Sequence, residues 1–133
     1  MSRLLVVDDS FALRFAMRNF FEDRGYAVDE AADLESARQC LVHRSYAAVI
    51  LDWSLTPEGS EGAELLRLLK RMRKRKPFVV VLTALISAAV EQQARDLGAD
   101  RVLWKPAELN TLAQLLPPPK PVRKRRDPKS PRS

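Results

Sequence analysis

Residues 46–53 read Tyr-Ala-Ala-Val-Ile-Leu-Asp-Trp, and positions 48–51 carry no polar side chain before the run stops at Asp52. A strand with one wet face alternates apolar and polar residues, whereas one that is apolar throughout has both faces covered, as in a parallel sheet flanked by helices. Residues 78–82, Phe-Val-Val-Val-Leu, repeat the pattern and stop at Thr83. Two such runs predict a parallel sheet, and the segments around them set its size.

Toward the N-terminus, residues 3–7 form a short apolar run ending in Asp8-Asp9. Ser10 then opens a segment with Leu13, Met17, Phe20 and Phe21 at helical spacing, and Gly25 stops it. Residues 26–30 suit a second strand, and Asp33 caps a helix carrying Leu34, Ala37, Arg38 and Leu41. The strand at 46–51 turns from Asp52 through Gly62 into a helix bearing Leu65, Leu66, Leu68, Leu69 and Met72. After the strand at 78–82 come a helix from about 87 to 97, a stop at Gly98, a strand at 101–104 and a last helix over 107–116. Five strand-helix units predict a doubly wound α/β sandwich, one five-stranded parallel sheet with five helices.

The formal charge of +6 suggests a nucleic-acid partner until it is divided along the chain. Residues 117–133 hold seven of the 23 cations and one of the 17 acids, so the body carries 16 of each sign and is neutral. Pro117-Pro118-Pro119 ends the last helix. The Lys, Arg, Pro and Ser that follow have too few apolar groups to offset chain entropy, which predicts a domain over 1–116 and a disordered basic tail over 117–133. The lone Cys40, with no leader-like N-terminus and no apolar run near the roughly 20 residues of a membrane helix, fits a soluble cytoplasmic protein.

Ligands of open parallel sheets bind beyond the carboxyl ends of the strands. The residues there are Asp8 and Asp9 after the first strand, Asp52 after the third, Thr83 after the fourth and Lys105-Pro106 after the fifth. On neighbouring strands roughly 4.8 Å apart, three carboxylates, a hydroxyl and an ammonium would converge. Such carboxylates repel unless a cation or a lysine sits among them, and hard oxygen donors favour Mg²⁺, which keeps water positions open to phosphate oxygens. A carboxylate can also act as nucleophile toward a phosphoryl group, and Asp52 is the central candidate.

The motifs Val-Val-Asp8-Asp9-Ser10, Ile-Leu-Asp52-Trp53, Val-Leu-Thr83-Ala84 and Trp104-Lys105-Pro106 resemble, in order and spacing, those of the receiver domains of two-component response regulators. The resemblance covers residues 3 to about 116 and implies the flavodoxin-like strand order 2-1-3-4-5. It implies that Asp52 is the phosphoacceptor, that Asp8 and Asp9 bind Mg²⁺ with Asp52, and that Ser54 adds its backbone carbonyl. Thr83 resembles the hydroxyl residue that moves toward the phosphoryl group, Ala84 the small residue that leaves it room, and Lys105 the lysine that pairs with phosphate. Pro106 resembles a family proline preceded by a cis peptide. The implied partners are a sensor histidine kinase or phosphotransfer protein and a downstream protein reading helix four, strand five and helix five. The implied assembly is a monomer or a phosphorylation-dependent dimer.

Two features depart from that pattern. Pro57 and Gly62 stand five and ten residues after Asp52, where the family has proline and glycine at four and eight, so a loop two residues longer is expected. Val102 occupies the position of the family's rotating aromatic. Trp104, of the same strand parity, is expected to pack, with a role in the switch as the lesser reading. His43 and Cys40 are expected to be a solvated helix end and a small packing residue. The run from 70 to 76 reads as a solvated helix end ahead of a contact for acidic partners or nucleic acid. The tail could make weak, unspecific nucleic-acid contacts or serve as a linker. Two other classes stand beside the signalling one: a phosphatase, which would want a second Asp where Ser54 stands, and a phosphorylation-independent scaffold or nucleic-acid-associating module.

Overall fold

A computed structural model describes residues 2–53, 60–73, 75–84 and 87–119. Ten elements alternate along them: β1 (Ser2–Val7), α1 (Phe11–Glu22), β2 (Tyr26–Ala31), α2 (Leu34–His43), β3 (Ala48–Asp52), α3 (Ser60–Lys70), β4 (Phe78–Thr83), α4 (Ala88–Asp96), β5 (Arg101–Trp104) and α5 (Leu109–Leu115). The five strands form one sheet in the order β2-β1-β3-β4-β5, every pair parallel. The predicted class and strand order both hold.

The sheet explains why its central strands are apolar throughout. Leu5, Val7, Val49, Leu51, Val79 and Val81 point to one face and pack with Ala37, Leu65, Leu66, Leu69 and Ala94 of α2, α3 and α4. Leu4, Val6, Ala48, Ile50, Val80 and Leu82 point to the other and pack with Met17 and Phe21 of α1 and Leu112 of α5. Each fully buried aliphatic or aromatic side chain contributes roughly 1.5–3 kcal/mol over its exposed state.

Short-range chemistry fixes the helix starts. Ser10, Asp33 and Ser87 accept N–H bonds from Leu13, Ser36 and Val90, and at α2 the Ser36 side chain returns a bond to the cap, completing a capping box. Most strands differ from expectation by a residue at one end, β3 starts at Ala48 and not at Tyr46, and two helices differ as well. The helix α3 starts at Ser60, ahead of Gly62, and Gly62 packs against the Trp53 carbonyl as part of its first turn. The helix α5 is shorter than 107–116, since Glu108 and Leu116 on either side have extended backbone, Leu116 directly before Pro117. The expected longer loop, with Pro57, lies in residues 54–59, and most of the tail in residues 120–133, both outside the described residues. Among the described residues no helix is long and apolar enough to cross a membrane.

Candidate functional site

Parallel register gathers the polar strand ends. Val7 pairs with Leu51, so the residues that follow them, Asp8 and Asp52, come side by side. Asp52 pairs with Leu82, bringing Thr83 to the same edge, and Thr83 pairs with Trp104, which delivers Lys105. The Lys105 N–H donates to the Thr83 carbonyl at 2.7 Å, and the Lys105–Pro106 peptide is cis, as the motif implied.

At the centre the Lys105 Nζ lies 3.2 Å from Asp8 Oδ2 and 3.2 Å from Asp52 Oδ1. Asp8, Asp52 and Thr83 are buried, whereas Asp9 is exposed. One carboxylate oxygen from each of Asp8, Asp9 and Asp52 lies within 4.8 Å of the other two. Asp8 Oδ1 accepts the Ser10 N–H at 2.8 Å, so the start of α1 holds this carboxylate in place.

Three carboxylates face one ammonium. Burial raises the Asp8 pKa above 3.8 and the Asp52 charge adds to the rise, against the opposing effects of the Ser10 N–H and Lys105. Burial disfavours the Lys105 ammonium, but Asp52 and then Asp8 outweigh it and hold its pKa above 10.5. The surplus negative charge, carried by oxygen donors converging from two strand ends, fits a hard divalent cation.

Of the residues singled out from sequence, Asp8, Asp9, Asp52 and Lys105 form one cluster and Thr83 ends the adjoining strand, while Ser54 lies outside the described residues. Ala84 is exposed just past Thr83, and Val102 is buried. The expectation that Trp104 packs is corrected: its side chain is 47% exposed, because β5 is an edge strand and Trp104 is its last residue. His43 is exposed at the end of α2, and Cys40 packs at the margin of the core.

Two features escaped the sequence. Arg14 Nη1 donates to the Asp8 carbonyl at 2.6 Å while its Nε donates to Glu30 at 3.1 Å, so it ties the Asp8 backbone to β2. Its place one turn after the cap was visible, but only the pairing of β1 with β2 supplies Glu30. Phe11 and Phe15, one turn apart, stack at 6.1 Å and are 69% and 54% exposed. Helical spacing marked the inward face of α1 and gave no sign that the outward face also carries aromatics.

The model of the response regulator receiver domain matches residues 4–117. The chain is 32% identical over 105 residues to the transcriptional regulatory protein ResD of Bacillus subtilis, covering 79% of this chain and 42% of ResD. It is 31% identical over 114 residues to QseB of Escherichia coli O157:H7, covering 86% of this chain and 51% of QseB. It thus spans about half the length of the curated relatives it matches. A response regulator from Burkholderia pseudomallei, solved with a phosphorylated aspartic acid, a calcium ion and citrate, superposes with a TM-score of 0.79 at 27% identity, over 88% of this chain and 67% of that one. The chemotaxis protein CheY4 of Vibrio cholerae superposes with a TM-score of 0.73 at 27% identity, over 86% and 94%. In motif order, strand order and acidic cluster alike, the chain belongs to the response regulator receiver domain family.

Proposed function

We propose that this domain accepts a phosphoryl group on Asp52 and signals through the resulting change of its surface. The observation that carries the reading is the Lys105 ammonium held 3.2 Å from both Asp8 and Asp52, with Asp9 completing the acidic cluster. An Asp52 carboxylate oxygen attacks the phosphorus of a phosphohistidine on a sensor kinase or phosphotransfer protein. The P–N bond breaks, the imidazole nitrogen leaves with its electron pair, and an acyl phosphate forms on Asp52. Lys105 stabilises charge on the transferring oxygens, and burial strengthens that attraction.

The metal sites would be Asp8, Asp9 and Asp52, with the backbone carbonyl of Ser54. When bound, Mg²⁺ neutralises charge on the phosphoryl oxygens. The stacked Phe11 and Phe15 begin one residue after Ser10 and give a donor protein an apolar surface beside the cluster. The acyl phosphate then shifts a two-state equilibrium that Thr83 senses at the end of β4. A downstream protein reads the shift on α4, β5 and α5, with the exposed Trp104 available to report it. Slow self-hydrolysis returns the domain to its resting state in the cytoplasm, where Cys40 stays reduced.

The test is to incubate the chain with Mg²⁺ and acetyl phosphate and measure intact mass. Wild type should gain one phosphoryl group, about 80 Da, and Asp52→Asn none; beryllofluoride should bind wild type alone. Modification of Asp52→Asn to the same extent would remove Asp52 from the reaction, and an unmodified wild type would leave a phosphorylation-independent scaffold.

A further inference from the structure

Every polar group of Asp8 has a partner, and each partner comes from a different segment. The N–H donates to the Ala31 carbonyl at 3.0 Å, carrying the β1–β2 ladder one residue past its last pair. Oδ1 accepts the Ser10 N–H, and Oδ2 accepts from the Lys105 ammonium. The carbonyl, beyond the end of β1, takes Arg14 Nη1 at 2.6 Å. Arg14 is itself held. Its Nε donates to Glu30 Oε1 at 3.1 Å, Glu30 Oε2 lies 3.2 Å from Arg18 Nη1, and Arg18 Nη2 donates to the Val28 carbonyl at 2.7 Å. A line of contacts thus runs from β2 through two arginines of α1 to one peptide oxygen.

That oxygen belongs to the peptide that joins Asp8 to Asp9. A peptide unit is planar, so the direction of the Asp8 carbonyl fixes the direction of the Asp9 N–H and the place of the Asp9 Cα. Asp9 is exposed, and no hydrogen bond or ion pair among the described residues holds its carboxylate. One of its oxygens nevertheless lies within 4.8 Å of oxygens from Asp8 and Asp52. The backbone that carries Asp9 is what keeps it there. A guanidinium suits the task, because its nitrogens are fixed in one plane and the bond to Glu30 aims the bond to Asp8. The Arg14 side chain is 13% exposed, so little water competes for either bond.

We infer that Arg14 is a positioning residue of the acidic cluster: it holds the Asp8–Asp9 peptide so that both carboxylates face one divalent cation. This role rests on the cluster being the Mg²⁺ site proposed above. Two other roles for Arg14 differ from it in the sign of their effect. A guanidinium acting only through space would repel a second cation, so its removal would tighten metal binding. An arginine that only ties α1 to β2 would leave metal binding unchanged in folded protein. Positioning alone makes its removal weaken the site, and hydrogen-bond partners behind metal ligands typically contribute about 10–100-fold in metal affinity.

The experiment is a Mg²⁺ titration of the full chain followed by tryptophan fluorescence, since Trp53 is buried and directly follows Asp52. Arg14→Met removes the fork and the charge and should raise the Kd about tenfold or more. Arg14→Lys keeps the charge but offers one nitrogen for two acceptors, so it should also weaken binding, by several-fold. Arg38→Met, which removes an exposed cation paired with Glu64, should leave the Kd unchanged. A cooperative urea transition establishes that each variant folds; should Arg14→Met fail it, Arg14→Lys carries the test. An unchanged Kd in the folded Arg14 variants would overturn the role and leave a tie between α1 and β2. A lower Kd in Arg14→Met would overturn it in favour of through-space repulsion, and an equal loss in Arg38→Met would show that any surface cation has the same effect. A wild type without a Mg²⁺ response, or with one that survives Asp9→Asn, would overturn the metal site and this role together, a result distinct from wild-type binding that Arg14→Met leaves intact.

Discussion

Lys105 reaches the site only because β5 ends where it does, and its charge is the counterweight to two buried carboxylates. Replacing it in Lys105→Met keeps most of the side-chain volume and removes the cation, leaving Asp8 and Asp52 facing each other. The Lys105 side chain is 26% exposed, so solvent screens the pair and the cost falls below that of a fully buried one, about 1–2 kcal/mol at pH 7 in metal-free buffer. Because the folded pKa of Lys105 lies above 10.5, its contribution is complete below that value and disappears as pH rises through the folded pKa. Urea midpoints in EDTA should therefore separate wild type from Lys105→Met at pH 8 and converge in strongly alkaline solution. A separation that persists unchanged there would mean that packing, and not charge, is what the lysine supplies.

At the scale of an element, α3 shows a local preference overruled by a neighbour. Glycine in a helix is about 1 kcal/mol less favourable than alanine, so Gly62→Ala should stabilise α3 on propensity alone. A Cβ at this position would lie 2.9 Å from the Trp53 carbonyl oxygen and 3.4 Å from its Cα, both backbone atoms that cannot swing away. Overpacking of that kind costs typically 1–3 kcal/mol, so the clash should win. The urea midpoint of Gly62→Ala should drop with an unchanged m-value, whereas Glu64→Ala on the exposed side of the same helix should shift it little. A higher midpoint for Gly62→Ala would show that α3 can move away from β3.

Over the whole molecule the parallel sheet places the acidic cluster at one edge, the carboxyl ends of its strands. A ligand that binds only the folded state stabilises it by mass action, about 2.7 kcal/mol at a hundred times its Kd. Adding Mg²⁺ to metal-free protein should therefore raise Tm by several degrees in wild type and much less in Asp9→Asn. Equal shifts in both would place the ion elsewhere than the acidic cluster.

The apolar runs at 3–7, 48–51 and 78–82 and the short strand at 101–104, each with a polar stop, pointed in the amino-acid sequence alone to the layered architecture, because a strand covered on both faces is what residues 48–51 and 78–82 require. The same stops named Asp8, Asp9, Asp52, Thr83 and Lys105, since a parallel sheet puts every carboxyl end on one edge. What the tertiary structure decided were the contacts between remote segments. Lys105 meets Asp8 across 97 positions, Arg14 meets Glu30 through strand pairing, and Pro117 meets the cavity wall formed by Lys70 and Lys76. Trp104 is exposed because β5 is an edge strand of the sheet and Trp104 is its last residue. Periodicity reports which face of an element is apolar; only the packing of the elements determines which side chains from distant segments share a volume small enough for their charges to act on one another.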